Sequence, residues 1–70
     1  MNTARYDARN NSIIVTTDGK DYPIPMQSSW RGMGPLALLG IASAASELHG
    51  IWLPADMREQ IAQILEEQGF

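Results

Sequence analysis

The pair Asp18-Gly19 lies between two short runs of alternating apolar and polar residues, and it is the feature that most limits how this chain can fold. Asp-Gly tolerates positive φ at both central positions of a two-residue turn, and such turns join neighbouring antiparallel strands. Asn10-Asn11, which precedes the first of these runs, also tolerates positive φ at both positions. The two turns predict a three-stranded antiparallel β-meander, with strands at about 4–9, 12–17 and 21–26.

Two-residue loops also predict the register of this sheet. Arg9 is then opposite Ser12 across the first turn, and Thr17 is opposite Lys20 across the second. Because side chains alternate between the faces of a strand, this register separates an apolar face from a polar one. The apolar face comprises Ala4, Tyr6, Ala8, Ile13, Val15, Tyr22, Ile24 and Met26. The polar face comprises Arg5, Asp7, Arg9, Ser12, Ile14, Thr16, Asp21 and Pro23.

Two helices are predicted after the sheet. Pro35 suits the first position of a helix with Gly34 as its cap, and Gly50 suits the position just after its end. Pro54 begins a second helix that ends near Gly69. The helices are expected at about 35–49 and 54–68, packed on one face of the meander. The 70 residues then form a single α+β domain, residues 1–70.

The segment 35–45, PLALLGIASAA, has no charged side chain. Within it Ala37, Gly40 and Ala44 form a small-residue row that would let another backbone approach closely. A chain this short, without cysteine, has no disulfides to stabilise it, and oligomerisation is a common alternative. The row is therefore a candidate homodimer interface. The alternative is a helix enclosed by the sheet and the second helix of its own chain.

The two edges of the predicted sheet differ. Pro23 and Pro25 lack backbone donors, so the third strand is a poor template for another strand. The first strand has no proline and could pair with a strand of another chain, with Arg5 and Arg9 as candidate contact residues. The alternative is that these two charges discourage such pairing.

Trp30 and Arg31 are further candidates for an interaction site. Tryptophan and arginine are enriched at binding hot spots, and a loop is a common place to present them. The alternative for Trp30 is that it folds back and caps the core. Trp52, between the helices, is expected to be a core residue or to staple them together.

No motif of catalysis or of cofactor binding is present. The chain has no cysteine and one histidine, which excludes thiolate and histidine-rich metal sites. His49 lies two residues from Glu47, and residues two apart on a helix point away from each other. Gly32, Gly34 and Gly40 match neither phosphate-binding glycine motif. We therefore expect no enzymatic activity, no cofactor and no metal.

The charge distribution limits the partners. The first 34 residues carry four cationic and three anionic side chains, and the remainder carry one against five, for a net charge of −3. Without a cluster of Lys and Arg, direct nucleic-acid binding is not expected. The N-terminal segment does not resemble a signal peptide, and the apolar run is too short to span a membrane. These features favour a soluble, cytoplasmic protein that does not enter a membrane.

The sequence thus favours a small acidic protein that acts through protein–protein interaction. An inhibitor, adaptor or accessory factor of the kind that phages or mobile elements encode fits this description, with another protein as partner. One alternative is a small-molecule-binding domain or degenerate enzyme, with a pocket between sheet and helices near Tyr6, Tyr22 and His49. Another alternative is a subunit of a larger homomeric assembly.

Overall fold

The computed structural model describes residues 2–70, and in it three strands are followed by two helices. The strands are β1 (Thr3–Asp7), β2 (Ser12–Thr17) and β3 (Lys20–Pro25), and the helices are α1 (Leu36–His49) and α2 (Ala55–Glu67), with a 3-10 turn at Ser28–Trp30. The strands form one antiparallel sheet in the order β1-β2-β3. The predicted α+β fold is confirmed.

The turn between β2 and β3 has the predicted form. Asp18 and Gly19 both have positive φ, 52° and 76°, as a type I′ turn requires. Thr17 is opposite Lys20, and Val15 is opposite Tyr22. The predicted register of this hairpin is therefore confirmed.

The register predicted for the first hairpin is wrong by two residues. Ser12 is opposite Asp7 rather than Arg9, so the loop has four residues, 8–11. Only Asn11 in this loop has positive φ, at 49°, and a type I′ turn needs it at two positions. Asp7 stabilises the longer loop, because its carboxylate accepts hydrogen bonds from Arg9 N at 3.1 Å and Asn10 Nδ2 at 2.8 Å.

An error of two residues leaves every side chain on its predicted face, because the strand period is two. Ile13, Val15 and Ile24 are fully buried on the apolar face. Ala8 is the exception, since it lies exposed in the longer loop. Ile14 projects from the polar face between Arg5 and Pro23 of the flanking strands, and only 9% of it is exposed.

Both helices lie on the apolar face of the sheet, α1 chiefly over β3 and α2 chiefly over β1. Gly50, at φ 65°, ends α1, and its N–H donates to Ser46 O at 2.9 Å. The space between sheet and helices is filled by fully or almost fully buried side chains. They are Ile13, Val15, Ile24, Ala37, Ile41, Ala45, Met57 and Ile61.

Candidate protein interface

Trp30 is buried against α1 and accounts for the glycine in that helix. Its side chain is 7% exposed. A β-carbon added at Gly40 would lie 2.5 Å from Trp30 Nε1 and 2.8 Å from Cε2. Of the two placements open for Trp30, the structure has the one in the core.

The small-residue row packs inside the chain rather than facing outwards. Ala37 is fully buried, Gly40 lies under Trp30, and Ala44 is partly buried against the core. Of the two alternatives for this row, the structure has the enclosed one. The surface that α1 does leave open is a different one.

That open surface consists of leucines and serines. Leu36 is 58% exposed and Leu39 is 66% exposed. Ser43 and Ser46 lie on the same exposed side of α1 at helical spacing. The first charged side chain after them is Glu47. Apolar side chains exposed together on one side of a helix indicate a candidate interaction surface.

Trp52 extends this surface, and the core position expected for it is wrong. It is 80% exposed, whereas the next residue, Leu53, is 2% exposed. The segment from Gly50 to Pro54 is not helical, and in it Leu53 reaches the core while its neighbour Trp52 points outwards. We call Leu36, Leu39, Ser43, Ser46 and Trp52 the helical face.

Two hollows open between α1 and α2, and the second of them borders the helical face. The first, which we call the apolar hollow, has a volume of about 460 Å³. Its main lining residues are Pro35, Leu38, Ala62, Leu65, Glu66 and Phe70. The second is about 290 Å³ and is bordered by Ala42, Ser43, Ser46, Trp52, Leu53 and Arg58. The groove between the helices is therefore incompletely filled at both ends.

Phe70 forms a fixed wall of the apolar hollow. Its N–H donates to Leu65 O at 2.8 Å, and its carbonyl accepts from Gly34 N at 3.0 Å. The guanidinium of Arg31 lies 4.6 Å from the centroid of the Phe70 ring, in a cation–π contact. Arg31 thus contacts one wall of the hollow, whereas its neighbour Trp30 packs on α1.

Two charges beside the hollows, Arg58 and Glu66, have opposite signs and lie at opposite ends of the groove. Arg58 has its guanidinium 5.8 Å from the centroid of the exposed Trp52 ring. Glu66 lines the apolar hollow. They are eight residues apart on α2, which is about 12 Å along a helix, too far for contact within one copy.

Arg5 and Arg9, the other predicted contact residues, border one open pocket beside β1. Arg9 lies in the turn beyond β1. Arg5 lies on the polar face, with Nη2 3.5 Å from Asp21 Oδ2. Thr16 Oγ1 donates to Asp21 Oδ1 at 2.6 Å, and this hydrogen bond, helped by the Arg5 charge, lowers the pKa of Asp21 below its ordinary value.

The outer edge of β1 is partly covered by α2. Gln60 Oε1 accepts from Ala4 N at 2.9 Å, and Gln60 Nε2 donates to Asn2 O at 3.1 Å. One side-chain amide thus makes the two hydrogen bonds that a neighbouring strand would make there. Pairing with another chain at this edge would have to displace it.

Tyr6, Tyr22 and His49 do not converge on a pocket. His49 Nε2 lies 2.7 Å from Pro23 O, and its ring packs on Tyr22 with centroids 5.3 Å apart. The Tyr6 hydroxyl donates to Asn11 Oδ1 at 2.6 Å. These contacts tie α1 to β3 and close the first turn.

Residues 2–70 contain no group of three His, Cys, Asp or Glu side chains placed to hold a metal ion. Over the same residues neither helix is long and apolar enough to cross a membrane. Comparison with protein-family models, with curated proteins and with solved structures gave no match. What the surface can do must therefore be inferred from its own geometry.

Proposed function

We propose that this chain functions by binding protein rather than by catalysis, and that it does so as a homodimer formed through the helical face. The observation that carries the proposal is the exposure of Leu36, Leu39 and Trp52, each of which is more than half exposed. Burying such side chains releases about 25 cal/mol for each Å² of apolar surface.

The contacts of these residues support a single continuous surface. Leu36 and Leu39 are three residues apart on α1, and Ser43 follows Leu39 by four, so all three are neighbours on the helix. Ser43 borders the same hollow as Trp52. Tryptophan is enriched among binding hot spots, and Trp52 lies at the Ser46 end of this surface.

A second copy is the partner that this surface suits. An uncharged patch has no need of a partner of opposite charge, and a two-fold interface pairs a patch with itself. Dimerisation would also add buried apolar surface to a domain that is small for independent folding. Inhibitor, adaptor and accessory roles remain open to such a dimer. The proposal places it in the cytoplasm, since a chain without cysteine depends on no oxidising compartment.

The proposal is tested by the mass in solution, measured by sedimentation equilibrium over a roughly hundredfold dilution. We expect a dimer that dissociates on dilution. Leu39→Ser should shift it to monomer because it removes apolar surface from the helical face. The matched control is Leu48→Ser, which changes a leucine of similar exposure, 58% against 66%.

Leu48 is a suitable control because it points elsewhere. It follows Leu39 by nine residues, or roughly two and a half turns of helix, so the two side chains lie on opposite sides of α1. A monomer at every concentration would overturn the proposal. So would a dimer that Leu39→Ser and Leu48→Ser weaken equally. A mass above that of a dimer would point instead to the larger homomeric assembly.

A second candidate function is the binding of a small apolar molecule in the apolar hollow. Its volume of about 460 Å³ lies within the range of ligand pockets. This candidate predicts a monomer whose melting temperature rises with an added hydrophobic probe. Ala62→Leu should abolish that rise by filling the hollow, because Ala62 is an exposed lining residue that contributes little to the core.

A further inference from the structure

We infer that in the homodimer each Trp52 inserts into the apolar hollow of the other copy and carries Arg58 to the partner's Glu66. This inference rests on the proposed function, because it specifies the geometry of the same interface. Four features of one protomer support it: a protruding side chain, a hollow, and one charge beside each.

The protruding group and the hollow are of matching chemistry. Among residues 2–70, Trp52 is the most exposed large apolar residue, at 80%. The hollow is lined mainly by apolar side chains, and its aromatic wall, Phe70, is held by backbone hydrogen bonds at both its N–H and its carbonyl. Aromatic side chains pack on one another with a preference beyond the area that they bury. The hollow therefore suits an indole ring.

The positions along the helices fit a two-fold axis. Trp52 lies beside Ser46, and the hollow lies beside Leu38, eight residues earlier on α1. These two levels are about 12 Å apart, at ~1.5 Å per residue. A two-fold axis in the interface, perpendicular to the helices and midway between the levels, would place each Trp52 over the hollow of the other copy.

The same two-fold axis also brings the two oppositely charged side chains together. Arg58 lies at the level of Trp52, and Glu66 lies at the level of the hollow, also eight residues apart. The exchange that seats Trp52 therefore brings each Arg58 to the Glu66 carboxylate of the other copy. Because Arg58 contacts Trp52 and Glu66 lines the hollow, the axis that exchanges Trp52 with the hollow also pairs these opposite charges. This self-complementarity of charge favours a second copy as the partner.

The first test is a charge reversal at both ends of the proposed pair. In Arg58→Glu dimers both ion pairs would become repulsive contacts between carboxylates, and in Glu66→Arg dimers they would become repulsive contacts between guanidinium groups. We expect each variant alone to dissociate at least roughly tenfold more readily, since each contact occurs twice. An equimolar mixture of the two variants should recover the dimer, because a mixed pair restores opposite charges at both contacts.

The matched control for the mixture is Glu67→Arg, which makes the same change of charge one residue further along α2. Glu67 is exposed and does not line the hollow. Glu67→Arg alone should dimerise like the wild type, because it keeps both Arg58 and Glu66. A mixed dimer with Arg58→Glu would still contain one repulsive contact between carboxylates, so labelled Arg58→Glu chains should enter dimers less readily with Glu67→Arg than with Glu66→Arg. Equal entry in the two mixtures would mean that net charge drives association, and it would overturn the inference.

The second test concerns the indole itself. Trp52→Ala should raise the dissociation constant of the dimer by roughly thirtyfold or more, as for a hot-spot residue. Ala62→Leu, which fills the hollow, should weaken the dimer too, whereas Ala55→Leu, an exposed alanine at the start of α2, should not.

The outcomes separate the two proposals. A wild-type chain that is monomeric throughout overturns the proposed homodimer and the inference with it. A wild-type dimer that Leu39→Ser dissociates, but that Trp52→Ala leaves intact and that the mixture does not rescue, overturns the inference alone. A monomer whose hollow binds a hydrophobic probe assigns the hollow to a small molecule instead.

Discussion

Gly40→Ala is the substitution for which the structure makes the clearest prediction. In the interior of an exposed helix, alanine is more favourable than glycine by about 1 kcal/mol. Here the added β-carbon would lie 2.5 Å from Trp30 Nε1 and 2.8 Å from Cε2, closer than such contacts allow. Trp30 is 7% exposed and packed on the core, so it cannot swing away freely.

The expected effect is the difference between these two contributions. Overpacking a core position by one carbon typically costs about 1–3 kcal/mol. After the gain in helix propensity, we expect a net loss of roughly 1 kcal/mol in the free energy of unfolding. That is a fall in melting temperature of about 4–8 °C for a domain of this size.

The assay is thermal and urea unfolding followed by circular dichroism at one low concentration, since self-association would shift the melting temperature. The decisive control repeats the substitution in a Trp30→Leu background. Without the indole the clash is absent, so Gly40→Ala should then stabilise by up to about 1 kcal/mol. Ser43→Ala, on the exposed side of the same helix, reports the effect of propensity alone.

If Trp30 packs on Gly40, Gly40→Ala should lower the free energy of unfolding in the wild-type background and raise it in the Trp30→Leu background. If Gly40→Ala stabilises the chain equally in both, Trp30 does not rest on Gly40. The small-residue row would then be free to face another chain, and the enclosed placement of α1 would have to be abandoned.

Two further predictions concern single side chains. NMR titration should give the Asp21 carboxyl a pKa below its ordinary value, and Thr16→Val should raise that pKa more than Arg5→Gln does, because the Thr16 hydrogen bond is the larger cause. A folded-state pKa below the unfolded one means that this contribution to stability is present above the unfolded pKa and is lost as pH falls through the folded pKa. Leu53→Ala should lower the free energy of unfolding by about 2–5 kcal/mol, whereas Trp52→Ala should leave that of the monomer nearly unchanged. Both are measured by urea unfolding at low protein concentration.

The fold could be predicted because its signals are local. The Asp18-Gly19 turn sets the second hairpin through backbone conformation alone, and its register is confirmed. Asn10-Asn11 is a weaker signal, since the competing four-residue loop is stabilised by the carboxylate of Asp7, which lies outside the pair. The error did not affect the faces, because two residues are one full period of a strand.

The candidate interface could be predicted only in part, because it depends on which of two similar residues is buried. Trp30 and Trp52 both lie in connecting segments rich in glycine or proline, and propensity does not separate them. Trp30 is buried against Gly40, the only glycine of α1. This pairing becomes clear only when the two residues are seen together in the structure. Exposure of Trp52 accompanies the burial of its neighbour Leu53, and the sequence does not indicate which of these two adjacent apolar side chains enters the core.

The outer edge of β1 leads to a last prediction, because α2 covers it with one side chain. Gln60 accepts from Ala4 N and donates to Asn2 O, so Gln60→Leu keeps the bulk but removes both hydrogen bonds. At about 0.5–1.5 kcal/mol for each bond, and with water able to replace them in part, the loss should be roughly 1 kcal/mol. Hydrogen exchange at the Ala4 amide should accelerate, while Gln63→Leu, on an exposed position three residues later, should leave it unchanged. Unchanged exchange in Gln60→Leu would mean that the amide is protected by something other than Gln60. Faster exchange accompanied by new self-association would mean that Gln60 keeps this strand from pairing with other chains, so that the homodimer is left to the helical face.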